Sequence, residues 1–361
     1  MPEASDTPRD DRARAGDLVA ECMNRRWPAA VVARVEPVRG DASSRRYVRC
    51  RLDTGSAGVE VPSSVVVMLM DDAAVALSSD ELGVYGADGP QELPFVNVWR
   101  FLSRFTDALP EIYLDASDDG GLVLEDVGDV PLWDAAADDD IERRFAEALD
   151  LLAAIQLRAV DDGSGCYAFA QAFDERLFAW EFEHFVEYGL AGAGALADCR
   201  AELAVAARRL AQLPRVFCHR DYHAWNIHVH DGRLRVIDFQ DALLGPALYD
   251  VASLLTDRST PEAVDPEMER RLVLRYADAV AAGGNGGTAD ADELMSTYRL
   301  CAFQRVLKVI GRFNYLAEVK NKPSYLDMLP TVVATARRLA AELDDVAATA
   351  GLLDSAVKDG R

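Results

Sequence analysis

The sequence predicts an α+β protein built as two lobes, a small and mainly antiparallel β lobe followed by a larger and mainly α-helical lobe. The chain has 361 residues, which is enough for two such units with a substantial core. Over the first 125 residues or so, short alternating runs separated by turn residues are typical of antiparallel strands. From Pro131 onward, apolar residues recur at helical spacing over longer segments. We therefore expect a disordered tail over 1–16, an amino-terminal lobe over 17–127 and a carboxy-terminal lobe over 128–361.

The amino-terminal lobe is predicted to begin with a short amphipathic helix at 17–27. Turn-forming residues at 40–41 and 54–56 then separate three strands, because Gly, Asp and Ser favour tight turns over regular structure. A helix and two further strands complete this lobe, and residues 124–129 would form the hinge. The predicted bounds are 32–38, 46–53 and 63–70 for the strands, 94–106 for the helix, and 112–114 and 122–124 for the last strands.

The carboxy-terminal lobe is predicted to be helical on both sides of one polar, short-stranded segment at 215–241. Its apolar residues recur every three or four positions, which favours amphipathic helices packed around a core. The predicted helices are 138–159, 174–189, 198–212, 247–257, 262–281, 290–318 and 326–348.

Charge and composition exclude several classes of partner and location. Lys and Arg number 38 against 61 Asp and Glu, a net charge of −23, which disfavours binding to duplex nucleic acid. The longest apolar strand-like run, Val65–Met70, is far shorter than the roughly 20 residues of a membrane span. Six scattered cysteines without a Cys-x-x-Cys pair, and a charged amino terminus unlike a secretory signal, predict reduced thiols and a cytoplasmic location.

One segment carries residues at the spacing that phosphoryl transfer requires. Asp221 follows His219-Arg220, Asn226 lies five residues later, and Asp238 ends an apolar strand twelve residues further on. Phosphoryl transfer needs a carboxylate that aligns the acceptor hydroxyl and can take its proton, and we assign this role to Asp221. It also needs hard oxygen ligands for a Mg²⁺ ion that bridges the phosphates of ATP, and Asn226 and Asp238 can supply them.

This segment, continued to Ala252, resembles the aminoglycoside phosphotransferase and choline kinase superfamily. Within it, the chain is most similar to the bacterial anomeric kinases of N-acetylmuramate and N-acetylglucosamine, on three further stretches. These stretches are 40–49, 94–96, and 304–311 with 322–326 behind it. The resemblance implies a protein-kinase-like fold, ATP and Mg²⁺ as cofactors, and a sugar 1-phosphate product that feeds cell-wall (peptidoglycan) recycling.

The resemblance also implies where ATP binds. The loop that covers its phosphates would contain Gly40, Ser43, Ser44, Arg45 and Arg46, and a turn of this composition can present backbone N–H groups, hydroxyls and positive charge to phosphate. The adenine would lie against the hinge.

In the hinge the contacts expected for adenine are Glu125 and Val127. Three more residues would support the catalytic loop from behind. His219 is expected to buttress it, and Asp250 to prop it as an anion at a helix start. Asp241 would either assist the metal through water or serve only in a turn.

The chain departs from protein kinases at the third strand, where those enzymes place a lysine on the nucleotide phosphates. That strand reads Val65–Met70, and the first 307 positions contain no lysine. Another cation must therefore replace it if the chain is active, and Arg45 or Arg46 are the candidates.

Positive charge is concentrated in one later segment, Gln304–Lys322. It carries five basic residues against one acidic residue, a local net charge of +4. Arg305 and Lys308 share one stripe of the predicted helix, which favours an anionic acceptor such as N-acetylmuramate over a polycationic aminoglycoside. The competing interpretation is a solvated face of a surface helix.

Two other functions remain open at this point. A different small-molecule kinase of the same superfamily, acting on an aminoglycoside, a choline-like alcohol or another sugar, would share the catalytic residues and differ in the acceptor pocket. A nucleotide-binding pseudokinase would explain the missing lysine, although it would have no need to keep Asp221, Asn226 and Asp238 together. Four histidines between 219 and 230 lack the spacing of a zinc site.

Overall fold

A computed structural model describes residues 9–38, 45–53, 61–70, 90–135, 140–194, 196–258, 260–284 and 290–357. Its α+β architecture confirms the predicted fold class. The strands are β1 (Val31–Val38), β2 (Arg46–Asp53), β3 (Ser64–Leu69), β4 (Ile112–Ala116), β5 (Gly121–Glu125), β6 (Arg215–Cys218), β7 (Ile227–His230), β8 (Arg233–Val236) and β9 (Leu243–Pro246). The helices are α1 (Arg9–Arg26), α2 (Pro94–Leu102), α3 (Leu132–Ala135), α4 (Ile141–Arg158), α5 (Glu175–His184), α6 (Leu196–Ala211), α7 (Ala247–Leu255), α8 (Pro266–Ala282), α9 (Ala291–Glu318), α10 (Leu329–Ala340) and α11 (Ala347–Leu352).

The amino-terminal part is an antiparallel sheet in the order β1-β2-β3-β5-β4. Its strands follow the predicted runs closely: β3 and β5, in the middle of the sheet, are buried along nearly their whole length, whereas β1 at the edge is largely exposed. On one face, Val48, Cys50 and Leu52 of β2 pack in a core with α1. The next residues along the strand face the opposite way, towards the rest of the protein, as successive side chains of a strand must.

The first helix is longer than the sequence predicted. It begins at Arg9, so the expected disordered tail over 1–16 is wrong for residues 9–16, while residues 1–8 lie outside the described residues. Tertiary contacts explain the difference, since Asp11 is buried against Arg46 and Arg14 donates to the carbonyl of Met70. Polar residues that look like a solvated tail thus hold the helix to the sheet.

The carboxy-terminal part is helical around one large core that also takes in α2. Two short antiparallel pairs, β6 with β9 and β7 with β8, lie among the helices. The helix predicted at 326–348 is interrupted, because α10 ends at Ala340 and a turn containing Asp344 and Asp345 precedes α11. Aspartates compete for backbone hydrogen bonds and favour such turns.

Helix α5 continues into a single π-helical turn, Phe185–Gly189, instead of remaining α-helical to residue 189. Here it meets α9 at very close range, since a Cβ added to Gly311 would lie 2.8 Å from Phe185 Cα and 2.9 Å from Phe185 N. The glycine therefore allows α5 and α9 to pack backbone to backbone. This contact lies one turn beyond the residues that the two helices send towards the loop after β6.

Short 3₁₀ turns complete the described structure at Ser117–Asp119, Tyr167–Phe169, Thr260–Glu262, Pro323–Met328 and Leu353–Ala356. All six cysteines are buried and unpaired. In the described part of the chain, no helix combines the length and apolar character that crossing a bilayer requires.

Candidate active site

The loop between β6 and β7 is fixed from behind by one buried carboxylate. Asp250, fully buried in the first turn of α7, accepts hydrogen bonds from His219 N at 2.6 Å, Arg220 N at 2.9 Å and Cys218 Sγ at 3.2 Å. Burial raises the pKa of this carboxyl, and the neighbouring His219 and the hydrogen bonds oppose that shift. The side chain of His219 supports the same loop, with Nε2 3.1 Å from the carbonyl oxygen of Ile237. Both residues thus lie where a supporting role was predicted.

Two residues of the site hold a backbone conformation that side chains rarely adopt. Arg220 has φ +79° and Asp238 has φ +64°, both in the left-handed region. Such conformations cost of order 1–3 kcal/mol each and persist only where surrounding contacts enforce them. At Arg220 the backbone N–H is held by Asp250. At Asp238 the preceding residue, Ile237, is bonded through its N–H to Asn226 O, and the side chain accepts from Gln240 Nε2.

Asp221 lies at the centre of a cluster of positive charges. Its Oδ1 is 3.6 Å from Arg305 Nη2 and 3.8 Å from Lys308 Nζ, both from α9. Burial by itself would raise the pKa of Asp221, but the charges of Lys308 and Arg305 outweigh it and hold the pKa well below its usual range. The carboxylate is therefore ionised and still partly exposed.

Asn226 and Asp238 lie side by side at the ends of β7 and β8. The backbone links them, because Ile237 N donates to Asn226 O at 2.9 Å. The amide nitrogen of Asn226 donates to the carbonyl oxygen of Asp221 at 3.0 Å, so Oδ1 is the side-chain atom that could bind a cation. The side chain of Asp238 is 45% exposed.

This pair fits Mg²⁺, which commonly takes one or two protein oxygens and completes its shell with waters and substrate phosphates. Asp241 lies close by, since Gln240 Nε2 donates to Asp238 Oδ1 at 2.7 Å and to Asp241 Oδ2 at 3.2 Å. Burial and then the charge of Asp238 raise the pKa of Asp241, so a cation here would relieve repulsion between two carboxylates. Within the described ranges, no three His, Cys, Asp or Glu side chains lie together as a group that could hold a metal ion.

The structure separates the two arginines proposed to replace the missing lysine. Arg45 is buried with Nη1 3.6 Å from Asp238 Oδ1, whereas Arg46 points to the other side of the sheet and pairs with Asp11 at 2.8 Å. Arg45 directly precedes β2 and Arg46 is its first residue, and successive side chains of an extended chain point to opposite faces. On β3, the residue paired with Tyr47 is the apolar Met68. Arg45 is therefore the cation placed beside the predicted metal ligands.

The remaining predicted nucleotide contacts are only partly described. Gly40, Ser43 and Ser44 lie outside the described residues. Glu125 ends β5, where its carboxylate pairs with Arg235, with Nη1 2.7 Å from Oε1, and accepts from Glu111 N at 2.9 Å. Val127 is buried in the segment between β5 and α3. The side chain of Glu125 thus anchors the hinge, and its backbone N–H donates to the carbonyl oxygen of Glu111 at 2.8 Å.

Two residues near these sites were missed by the sequence analysis. Glu181, on α5, is completely buried and contacts Arg220 and Lys308. Arg49, on β2, donates to both oxygens of Asp126 in the hinge. Neither carried a signal, because a lone Glu in a helix or Arg in a strand reads as a solvated residue until its neighbours in space are known.

Aromatic side chains continue the α5–α9 face beyond Lys308. The ring of His184 lies 5.4 Å from Trp180 and 4.6 Å from Tyr188, and Tyr188 lies 5.1 Å from Tyr315. Trp180 and Tyr188 are packed together with His184 and Tyr315 in this partly buried cluster.

Comparison with known proteins identifies the family of this chain. A family model described as the phosphotransferase enzyme family matches residues 34–286, more than half of the chain. The chain belongs to this family. It is therefore an enzyme that transfers a phosphoryl group to an alcohol acceptor, as the motif around Asp221 and its resemblance predicted.

Curated relatives cover most of the chain. It is 30% identical over 315 residues to an N-acetylmuramate/N-acetylglucosamine kinase of Pseudomonas aeruginosa, covering 84% of this chain and 83% of the relative. It is 28% identical over 335 residues to a kinase of the same description from Neisseria meningitidis, covering 88% and 89%.

Several solved structures share the fold at low sequence identity. An ethanolamine kinase of Plasmodium vivax matches with a TM-score of 0.61 at 11% identity, covering 92% of this chain and 91% of its own. A choline kinase of Streptococcus pneumoniae matches with a TM-score of 0.59 at 14% identity, covering 91% and 99%. An aminoglycoside phosphotransferase with ADP bound gives 0.52 at 14% identity, covering 90% and 99%. These likenesses confirm the predicted two-lobed, protein-kinase-like fold.

Proposed function

We propose that this phosphotransferase is an ATP-dependent sugar kinase. It would phosphorylate the anomeric hydroxyl of N-acetylmuramate, N-acetylglucosamine or both, in the cytoplasm, and release a sugar 1-phosphate for peptidoglycan recycling. Relatives described as kinases of these two sugars, which cover more than four fifths of the chain, support the choice of acceptor.

The observation that carries the proposal is the position of Arg305 and Lys308 beside Asp221. Arg305 is 5% exposed and the side chain of Lys308 is 19% exposed, so these two are not part of a solvated helix face. Two cations beside the group that receives the acceptor favour an acceptor with negative charge, such as the lactyl carboxylate of N-acetylmuramate. They disfavour a polycationic aminoglycoside by like-charge repulsion. Lys320, twelve residues beyond Lys308, is exposed and plays no part in this argument.

In the proposed reaction, Asp221 receives and orients the acceptor hydroxyl. Its pKa is held well below the usual range, so it is a weak base, and it takes the proton late, when the bond to phosphorus has largely formed. This suits phosphoryl transfer, where positioning and charge stabilisation dominate. Arg45 would contact the nucleotide phosphates, and Asn226 and Asp238 would hold Mg²⁺. When bound, the ion neutralises charge on the phosphates.

The residues of the site argue against the pseudokinase that the sequence left open. A pseudokinase has no use for a base, an amide and a carboxylate brought together, yet Asp221, Asn226 and Asp238 converge on one loop system. Kinases of other small acceptors share this machinery, so only the acceptor separates them from the function proposed.

The test is transfer from ATP to a panel of acceptors under identical conditions. N-acetylmuramate and N-acetylglucosamine should be phosphorylated, with the product assigned as a 1-phosphate by phosphorus NMR, while kanamycin and choline should not. D221A should lose most of its turnover and still bind ATP. Transfer to kanamycin or choline alone would overturn the acceptor, and near-normal turnover of D221A would overturn the mechanism.

A further inference from the structure

One completely buried charge near the site belongs to a residue with no role in the mechanism above. The side chain of Glu181 has no exposed surface. Its Oε2 accepts from Gln304 Nε2 at 2.7 Å, and its Oε1 lies 3.2 Å from Arg220 Nη2 and 3.5 Å from Lys308 Nζ. A carboxylate removed from water in this way is tolerated only when charged and hydrogen-bonding partners satisfy it. Both of its oxygens meet this condition.

Each partner of Glu181 leads directly to Asp221. Arg220 is the preceding residue and holds a left-handed conformation. Lys308 lies between the two carboxylates, with Nζ 3.5 Å from Glu181 Oε1 and 3.8 Å from Asp221 Oδ1. Gln304 lies one helical turn before Lys308 on α9. Glu181 thus contacts the two residues that lie on either side of Asp221, Arg220 and Lys308.

We propose that Glu181 is a positioning residue, which holds Arg220 and Lys308 in place around Asp221 and keeps the ammonium group of Lys308 shared between two carboxylates. The inference rests on the proposed function in taking Asp221 as the base. In the absence of the Glu181 charge, Lys308 has Asp221 as its remaining carboxylate partner. A direct ion pair there competes with the acceptor hydroxyl for the oxygen that must receive it.

The same arrangement sets the charge on Lys308. The groups that face it are Glu181 from α5, Arg220 and Asp221 from the catalytic loop, Tyr249 from α7 and Arg305 from α9. Burial lowers the pKa of Lys308, and the charges of Asp221 and Glu181 oppose that shift. Removing one of these two carboxylates should lower the pKa further, so that the lysine loses its proton at a lower pH.

The experiment compares E181Q with the matched control E183Q. Glu183 lies on the same helix but is exposed and pairs with Arg200 at 2.7 Å, away from the site. We expect E181Q to lower kcat by about 10- to 100-fold, as small displacements of catalytic groups do, with the KM for ATP nearly unchanged. The alkaline limb of its pH–rate profile should move to lower pH. E183Q should match the wild type in all three measurements.

The double variant E181Q/K308R separates positioning from a purely structural role. An arginine keeps its charge at all accessible pH values, so the alkaline limb should return to the wild-type position while kcat stays low. If E181Q instead lowers only thermal stability, with kcat and the pH profile of the wild type, Glu181 is structural and the proposal is wrong. Should E181Q fail to fold, Q304M removes a single hydrogen bond to Glu181 and should show a smaller loss of kcat. A wild-type kcat in Q304M would then contradict the proposal.

The outcome is distinguishable from failure of the proposed function. If the wild type accepts neither sugar, the same variants are compared with whichever acceptor of the panel is used, or by ATP hydrolysis with water as acceptor. If D221A is inactive and E181Q is unaffected, only the role of Glu181 is refuted.

Discussion

The buried ion pair between Arg49 and Asp126 connects the amino-terminal sheet to the hinge. Its removal should lower the free energy of unfolding by a large amount. Arg49 is 7% exposed and Asp126 9%. Nε and Nη2 of the arginine donate to the two carboxylate oxygens at 2.7 and 2.9 Å. R49M preserves the apolar stem and leaves Asp126 buried, with Ser64 Oγ and Gly128 N as donors. Breaking a buried pair from one side costs about 3–5 kcal/mol, which is the loss of unfolding free energy expected for R49M.

The loss should depend on pH in a defined direction. Burial by itself would raise the pKa of Asp126, but hydrogen bonds from Arg49 and Ser64 outweigh it and hold the pKa below its usual range. The carboxylate therefore stabilises the wild type above its pKa in the unfolded chain, and this contribution is lost as pH falls through the lower folded pKa. In R49M, burial dominates and raises that pKa. The difference between variant and wild type should be largest near neutral pH and shrink on acidification.

Urea denaturation at several pH values measures these free energies, with D129N as control. Asp129 also accepts from Arg49, at 2.7 Å, but its side chain is 64% exposed, so its loss should cost only about 0–1 kcal/mol. The double variant R49M/D126N should recover part of the stability, because no unpaired charge then remains buried. If R49M lies within about 1 kcal/mol of the wild type at neutral pH, the pair is no stronger than an exposed one. The reasoning is then refuted.

Two further predictions concern the site itself. R45A should lower kcat/KM for ATP by about 10- to 100-fold, which is the contribution of one hydrogen bond to a charged group. R46A should leave the steady-state kinetics unchanged, because that side chain faces Asp11. Equal effects of the two substitutions would show that Arg45 is not the replacement cation. D250N places an amide where three groups donate hydrogen bonds to a carboxylate. The variant should therefore lose about 2 kcal/mol of unfolding free energy together with most of kcat. An unaltered kcat would mean that the loop keeps its shape without this anion.

The sequence was informative where local rules decide structure. Alternation predicted β2 at 46–53, its observed bounds, because a strand with two different faces leaves a period-two pattern. Asp221, Asn226 and Asp238 likewise lie close together in the structure, because the loops and strands between them are short and restrict where the side chains can lie. Helix α1 was predicted too short because Asp11 and Arg14 are held by Arg46 and by the carbonyl of Met70, which are distant in sequence.

By itself, the sequence determined the fold class, the phosphotransfer motif and the absence of a lysine from the whole amino-terminal region. Only the tertiary structure decided which cation lies beside Asp238, because Arg45 and Arg46 differ by one position and a strand turns neighbours to opposite faces. It also revealed Glu181, whose partners come from residues 39 and more than 120 positions away. Contacts over such separations depend on how helices pack, and packing leaves no local pattern in the chain.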